Sequence, residues 1–158
     1  MSRAALHYEN EVALVDQLAT LVSGGAIQWL SQAVVREFDY ASGRTDLLTL
    51  TVTDQLVAFE AKLTNWRKAI DQAWRNTSFA NEVYVVLPRE CSRPALQHQA
   101  EFRVAGVGLC LMDDSGMEVA FNSCDHKPVL PWLHEKARAS LGEHGSRPAR
   151  GIGATDLC

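Results

Sequence analysis

Leu14, Val15, Leu18, Leu21 and Val22 recur every three or four residues, a spacing that predicts a first helix over Ala4–Ser23 closed by the left-handed stop Gly24-Gly25. The pattern then turns to short β-branched and aromatic runs. Ala33–Tyr40 reads as a strand, Ala41-Ser42-Gly43 as a turn, and Leu47–Val52 and Leu56–Leu63 as two strands of a hairpin joined at Thr53-Asp54-Gln55. Helical period returns over Asn65–Ser78, with Trp66, Ala69, Ile70, Ala73 and Trp74 on one stripe. Val83–Leu87 is a continuous apolar run of the kind buried on both faces. Pro94 suits the first turn of a helix reaching Phe102, followed by strands at Val104–Met112 and Glu118–Phe121 and a last helix opened by Pro131 over Trp132–Leu141. A strand–helix–strand passage such as 56–87 requires parallel pairing, whereas the hairpin before it is antiparallel. The expectation is an α/β domain, a mixed central β-sheet flanked by helices with an α-β-β-β-α-β core.

Composition narrows the function classes. The 158 residues suit one domain, 1–141, with 142–158 as a loose tail holding four of the ten glycines. A net charge of −4 argues against a purely electrostatic, histone-like nucleic-acid binder. Carboxylates that hold a cation remain compatible with that charge. Cys91, Cys110, Cys124 and Cys158 form no Cys-x-x-Cys pair, so neither a zinc ribbon nor a thioredoxin-type centre is indicated. The first fifteen residues lack the apolar run of a signal peptide, and no stretch approaches a membrane span. The expected setting is cytoplasmic, with reduced thiols and no membrane partner.

The chemistry concentrates in Gly43-Arg44-Thr45-Asp46 and, fourteen residues after Asp46, Phe59-Glu60-Ala61-Lys62. Strand side chains alternate faces, so Glu60 and Lys62 point the same way. A carboxylate and an ammonium on an apolar strand are costly to bury without partners. A three-residue loop at 53–55 sets Val52 opposite Leu56, Leu48 opposite Glu60 and Asp46 opposite Lys62, so Asp46, Glu60 and Lys62 converge on one face. A two-residue loop would send Asp46 to the other face, but Asp-Gln is a poor two-residue turn. Two carboxyls within ~5 Å of one another could share a hard cation such as Mg²⁺, and a lysine beside them completes what phosphodiester hydrolysis needs. The competing reading is a structural ion-pair network on a solvated sheet face.

These residues resemble the PD-(D/E)XK nuclease superfamily, the restriction-endonuclease-like and Holliday-junction-resolvase-like fold. Gly-Arg-Thr-Asp46, a hairpin, Glu60-Ala-Lys62 and a following helix with Gln72 match it over about residues 5–112, with Thr45 where the family name has proline. The resemblance implies a DNA-cutting endonuclease or exonuclease, a metal-dependent hydrolase with Mg²⁺ (or Mn²⁺) at Asp46, Glu60 and the Ala61 carbonyl, and Lys62 as the catalytic lysine. Family members often add a glutamate from the first helix. Glu11 lies on the core-facing stripe with Leu14, Val15 and Leu18, Glu9 lies on the wetter side, and Glu37 competes from the first strand. Some branches carry Gln followed four residues later by Tyr, where this chain has Asn76. A homodimer is implied by resemblance only. With no appended DNA-reading domain, specificity falls to DNA shape or to a protein partner.

Lys68, Gln72 and Arg75 form one stripe of the 65–78 helix and could follow a phosphate backbone, Gln72 reaching the site; the alternative is a solvated polar face. Arg44 could contact phosphate or pair with Asp39. Trp66 and Trp74, on the apolar stripe, read as core. Cys110, Cys124, His126 and His134 lack zinc-site spacing, no cysteine is marked as an activated nucleophile, and Gly106 and Gly108 make no nucleotide loop. Two further functions remain open: a catalytically inactive nuclease-fold protein that binds nucleic acid or a partner protein, and an enzyme acting on a different phosphate ester or small molecule.

Overall fold

A computed structural model describes residues 8–25 and 28–145. Six strands lie in one sheet in chain order: β1 (Ser31–Tyr40), β2 (Gly43–Thr51), β3 (Leu56–Ala61), β4 (Glu82–Pro88), β5 (Gly108–Asp113) and β6 (Gly116–Phe121). The first three pair antiparallel, β3, β4 and β5 pair parallel, and β6 returns antiparallel. The mixed sheet expected from the sequence is therefore present. No helix among the described residues is long and apolar enough to cross a membrane.

Helix α1 (Glu11–Ser23) covers one face of the sheet; α2 (Trp66–Asn76), α4 (Gln99–Ala105) and α5 (Pro131–Gly145) cover the other, with a single turn, α3 (Arg93–Leu96), before α4. The period of two in the strands divides the apolar residues between two cores. Val83, Val85 and Leu87 of β4 face α2 and α5, while Tyr84 and Val86 face α1. That is why β4 reads as an unbroken apolar run.

Several element boundaries differ from expectation. Helix α1 starts at Glu11 because the Asn10 side chain accepts from the Ala13 N–H and caps it; residues 1–7 lie outside the described set. The left-handed residue after α1 is Gly25 (φ 75°), not Gly24. The helix expected over 94–102 is broken at His98, whose ring Nδ1 sits 2.7 Å from the Pro94 carbonyl, where the next helical N–H would donate. Helix α4 then runs through Val104 to the left-handed Gly106, so β5 begins only at Gly108. Helix α5 continues past Leu141 to Gly145, into the expected tail; residues 146–158 lie outside the described set.

The hairpin loop has three residues, as expected, but they are Val52-Thr53-Asp54. Thr51 N–H donates to Gln55 O at 2.9 Å, Asp54 N–H donates to Thr51 O at 2.9 Å, and Asp54 takes the left-handed conformation (φ 69°) that ends such a loop. The register moves by two residues: Leu48 faces Ala58 rather than Glu60, and Leu47 faces Phe59. One step further, Asp46 comes level with Glu60 rather than Lys62. A shift of two preserves the face.

Where β4 and β5 pair, Tyr84 lies over Gly108. A Cβ at 108 would meet the Tyr84 ring at 2.5 Å and the Phe121 carbonyl at 2.6 Å. Gly108→Ala is therefore expected to cost about 1–3 kcal/mol, measurable by urea unfolding; an unchanged midpoint would show that the ring and β6 yield freely.

Candidate active site

The β2–β3 ladder ends at Leu47 and Phe59, although β2 stays paired to β1 as far back as Gly43. The N–H of Ala61 donates to a side chain instead, Asp46 Oδ2 at 2.9 Å. On its other edge β3 remains held by β4, the Lys62 N–H donating to Val86 O at 3.1 Å. The last residues of β3 thus keep one backbone neighbour and gain a carboxylate in place of the other.

Glu60 is 2% exposed, on the face covered by α2. Asn76, the last residue of α2, donates through Nδ2 to Glu60 Oε1 at 2.8 Å. The Asn76 carbonyl oxygen accepts from Tyr40 OH at 2.6 Å and from Thr45 Oγ1 at 2.9 Å. Two hydroxyl donors at Oδ1 leave the amide one orientation, with its NH₂ toward Glu60. Burial, then the neighbouring Asp46 charge, push the Glu60 carboxyl up to about 9; Asn76 pulls the other way, and so, more weakly, does the Lys62 charge. A hydrogen bond joins the Glu60 and Asp46 carboxyls. At neutral pH Glu60 is thus a buried, protonated acid. Burial and the Glu60 charge raise Tyr40 to about 12, which keeps its hydroxyl a donor.

Lys62 does not share the face of Glu60 as strand alternation predicts: β3 ends at Ala61, and the lysine, 17% exposed, takes its Nζ to 3.2 Å from Glu11 Oε1 at the first turn of α1, the helix on the other face. Of the three glutamates weighed from the sequence, Glu11 meets the lysine. Glu9 is exposed ahead of the helix, and Glu37 is exposed with its nearest cation, Arg44, at 3.8 Å.

Other expectations separate. Gln72 lies half-buried one turn before Asn76, and its side chain makes no hydrogen bond among the described residues; the residue of α2 that reaches the acid is Asn76. Arg44 pairs with Asp39 at 2.6 Å on the exposed end of the β1–β2 hairpin. Lys68 and Arg75 are exposed and form no ion pair among the described residues, and Arg75 is close enough for its charge to act on Tyr40. Trp66 is buried, with Arg67 stacked 4.2 Å above its ring. Trp74 is not core: it is 59% exposed, at the edge of the stripe, beside a groove with Ile70, Ala100 and Val104. Cys91, Cys110 and Cys124 are free thiols, His126 is spent on the Gly106 carbonyl and His134 on the Phe79 carbonyl.

Asn76, Thr45 and Tyr40 were not singled out as site residues from the sequence. A signal existed for Asn76, which completes the buried arc 66, 69, 70, 73, 76 and is its polar member. A fully buried amide at the end of an apolar stripe needs partners.

Among the described residues no three His, Cys, Asp or Glu side chains gather as a metal cluster. The pair Asp46 and Glu60 nonetheless fits a hard divalent ion. Both donors are oxygens, and a cation would relieve the like-charge and burial costs that hold Glu60 protonated. Lys62, anchored by Glu11, stands beside that pair at the same end of β3.

Comparison with known protein families and with curated proteins gives no match. Among solved structures, a protein of unknown function from Silicibacter pomeroyi superposes with a TM-score of 0.56 at 20% identity, over 89% of this chain and 86% of that one. The two share a fold. A repair endonuclease from Pyrococcus abyssi overlays with a TM-score of 0.41 at 16% identity, over 69% of this chain and 50% of that one, too distant to establish a common fold.

Glu60 makes stability depend on pH. Its pKa is about 9 in the folded protein against 4.5 as an ordinary side chain. Below the lower value both folded and unfolded chains hold the proton. As pH rises toward the upper one, only the unfolded chain releases it, and stability is lost across that window. By pH 8 the loss is on the order of 5 kcal/mol. Glu60→Gln keeps both hydrogen bonds, its carbonyl accepting from Asn76 and its amide donating to Asp46, and removes the titration. Urea unfolding of metal-free protein should show the variant's advantage over wild type growing from pH 5 to pH 8, whereas parallel curves would contradict a protonated Glu60.

Proposed function

We propose that the protein is a Mg²⁺-dependent nuclease of the PD-(D/E)XK type, hydrolysing phosphodiester bonds in DNA. The observation that carries this reading is the buried Glu60 carboxyl joined to Asp46, with Lys62 at the same end of β3. A structural ion-pair network would not need a fully buried acid held by a dedicated amide. Nothing in such a network calls for two carboxyls to be pressed together.

In this reading Asp46 and Glu60, with the Ala61 carbonyl, hold Mg²⁺, or Mn²⁺ in its place. The ion supplies positive charge against the phosphate and acidifies water at the site. Asn76 occupies Glu60 Oε1 and leaves the other carboxyl oxygen for the ion. Lys62, kept in place by Glu11, orients the attacking water and stabilises charge developing on the phosphate. Lys68 and Arg75, on the exposed side of α2, meet the phosphate backbone, while Arg44 is left to Asp39. Gln72 lines the approach rather than the reacting centre. Strand breakage within a chain or from its end, a homodimer, and a protein partner supplying specificity are all compatible with this site.

Incubation with circular, linear and branched DNA in Mg²⁺ or EDTA tests the reading. Asp46→Ala and Glu60→Ala should abolish Mg²⁺-dependent cleavage, and Lys62→Ala should slow it at least about 100-fold. DNA affinity without metal should hold in Glu60→Ala, whose acid is already neutral, and hold or improve in Asp46→Ala, which loses a negative charge facing the phosphate. Single removal of Lys68 or Arg75 should reduce the salt dependence of binding by about one unit each. Wild-type protein that cuts none of these substrates in Mg²⁺ or Mn²⁺ would defeat the proposal, and intact DNA binding would then favour a non-catalytic nuclease fold.

A further inference from the structure

Two non-glycine residues among those described adopt positive φ: Asp54 at 69°, which closes the β2–β3 hairpin, and Glu37 at 57°. Glu37 lies within β1, where no turn calls for it. Left-handed backbone is disfavoured for residues carrying a Cβ, so it persists only where surrounding structure demands it.

The demand comes from directly across the ladder. Arg36 pairs with Leu47 and Phe38 with Thr45, which leaves Glu37 facing Asp46 without a partnered register. The strands change faces at this step. On one side of it Val35 and Leu48 turn toward the core under α2. Beyond it, Phe38 enters the same core and Thr45 bonds Asn76 of α2, although each stands three residues from its predecessor. In regular strands an odd spacing would put them on opposite faces. Both chains are therefore kinked together with their register unchanged, and the kink re-aims the side chains beside it. The result for Asp46 is a carboxylate that reaches sideways to β3, taking the Ala61 N–H at 2.9 Å.

The Glu37 side chain contributes little to this. It is 70% exposed, and its distance to Arg44 is 3.8 Å where Asp39 stands at 2.6 Å. The position matters for its backbone.

We infer that Glu37, through its left-handed backbone, is a positioning residue that aims Asp46 at Ala61 and Glu60. The consequence for cation binding rests on the nuclease reading; the aiming itself does not.

The test uses the full-length chain, ¹⁵N-labelled, with Glu37→Gly, Glu37→Asn and Glu37→Val. Glycine and asparagine accept a left-handed backbone, and β-branched valine resists it. Two readouts are taken: exchange protection and downfield shift of the Ala61 amide proton without metal, and Mn²⁺ affinity. The first two variants should keep the Ala61 signal and hold Mn²⁺ affinity within about twofold. Glu37→Val should lose Ala61 protection and bind Mn²⁺ at least tenfold more weakly while its circular dichroism stays native. An Ala61 amide as protected in Glu37→Val as in wild type overturns the inference. Should that variant not fold, Glu37→Ala is expected to exchange Ala61 at least about fivefold faster than Glu37→Gly, given the cost of a Cβ in this region, and equal rates overturn the inference. Wild type that binds no Mn²⁺ while Ala61 still follows residue 37 would sink the nuclease reading and support the aiming. Mn²⁺ binding unaffected by valine, with Ala61 protected, would do the reverse.

Discussion

One buried carboxyl governs this site. Glu60 sits at 2% exposure between Asp46 and Asn76, and each surrounding element answers to that fact. Helix α2 ends on the amide that serves it. Strand β1 contributes Tyr40, and β2 contributes Thr45, to lock that amide. The β2–β3 ladder stops one residue short of the acid, so that Asp46 can replace backbone as partner to Ala61. Removing the amide while keeping the acid would leave a buried polar group unsatisfied, a loss of about 1–3 kcal/mol.

The two faces of the sheet divide the work. The face under α2 and α5 carries Glu60 and its hydrogen-bond network, set among Phe38, Ala69, Ala73 and Phe79. The other carries α1, whose capped first turn brings Glu11 to Lys62. The two charged pieces, acid pair and lysine, therefore come from opposite layers and meet at the end of β3.

Much of this was legible in the sequence, for identifiable reasons. Period-two and period-3.6 patterns reflect burial, so β4, α2 and the mixed sheet followed from them. Loop parity brought Asp46 and Glu60 together even though the loop lies one residue earlier than expected, since parity depends on loop length being odd rather than on its position. The rest depended on features without a periodic signature. A left-handed Glu37 has no local marker, because glutamate is not a residue that turns favour. His98 breaks a helix through its ring, which propensity does not register. Trp74 sits at the edge of its stripe, where helical spacing alone does not separate core from surface. Asn76 was seen only as a missing tyrosine, although its place on the buried arc of α2 marked it as a residue in need of partners.

The central claim is that the acid pair is a cation site. It is tested most directly by calorimetric titration of metal-free protein with Mn²⁺ at pH 7, in buffers of different ionisation enthalpy. With Glu60 held protonated up to about 9, one ion should bind per chain and release close to one proton from the protein, and Asp46→Asn should abolish both signals. Absence of binding in the wild type, or binding that Asp46→Asn leaves unchanged, would contradict the account.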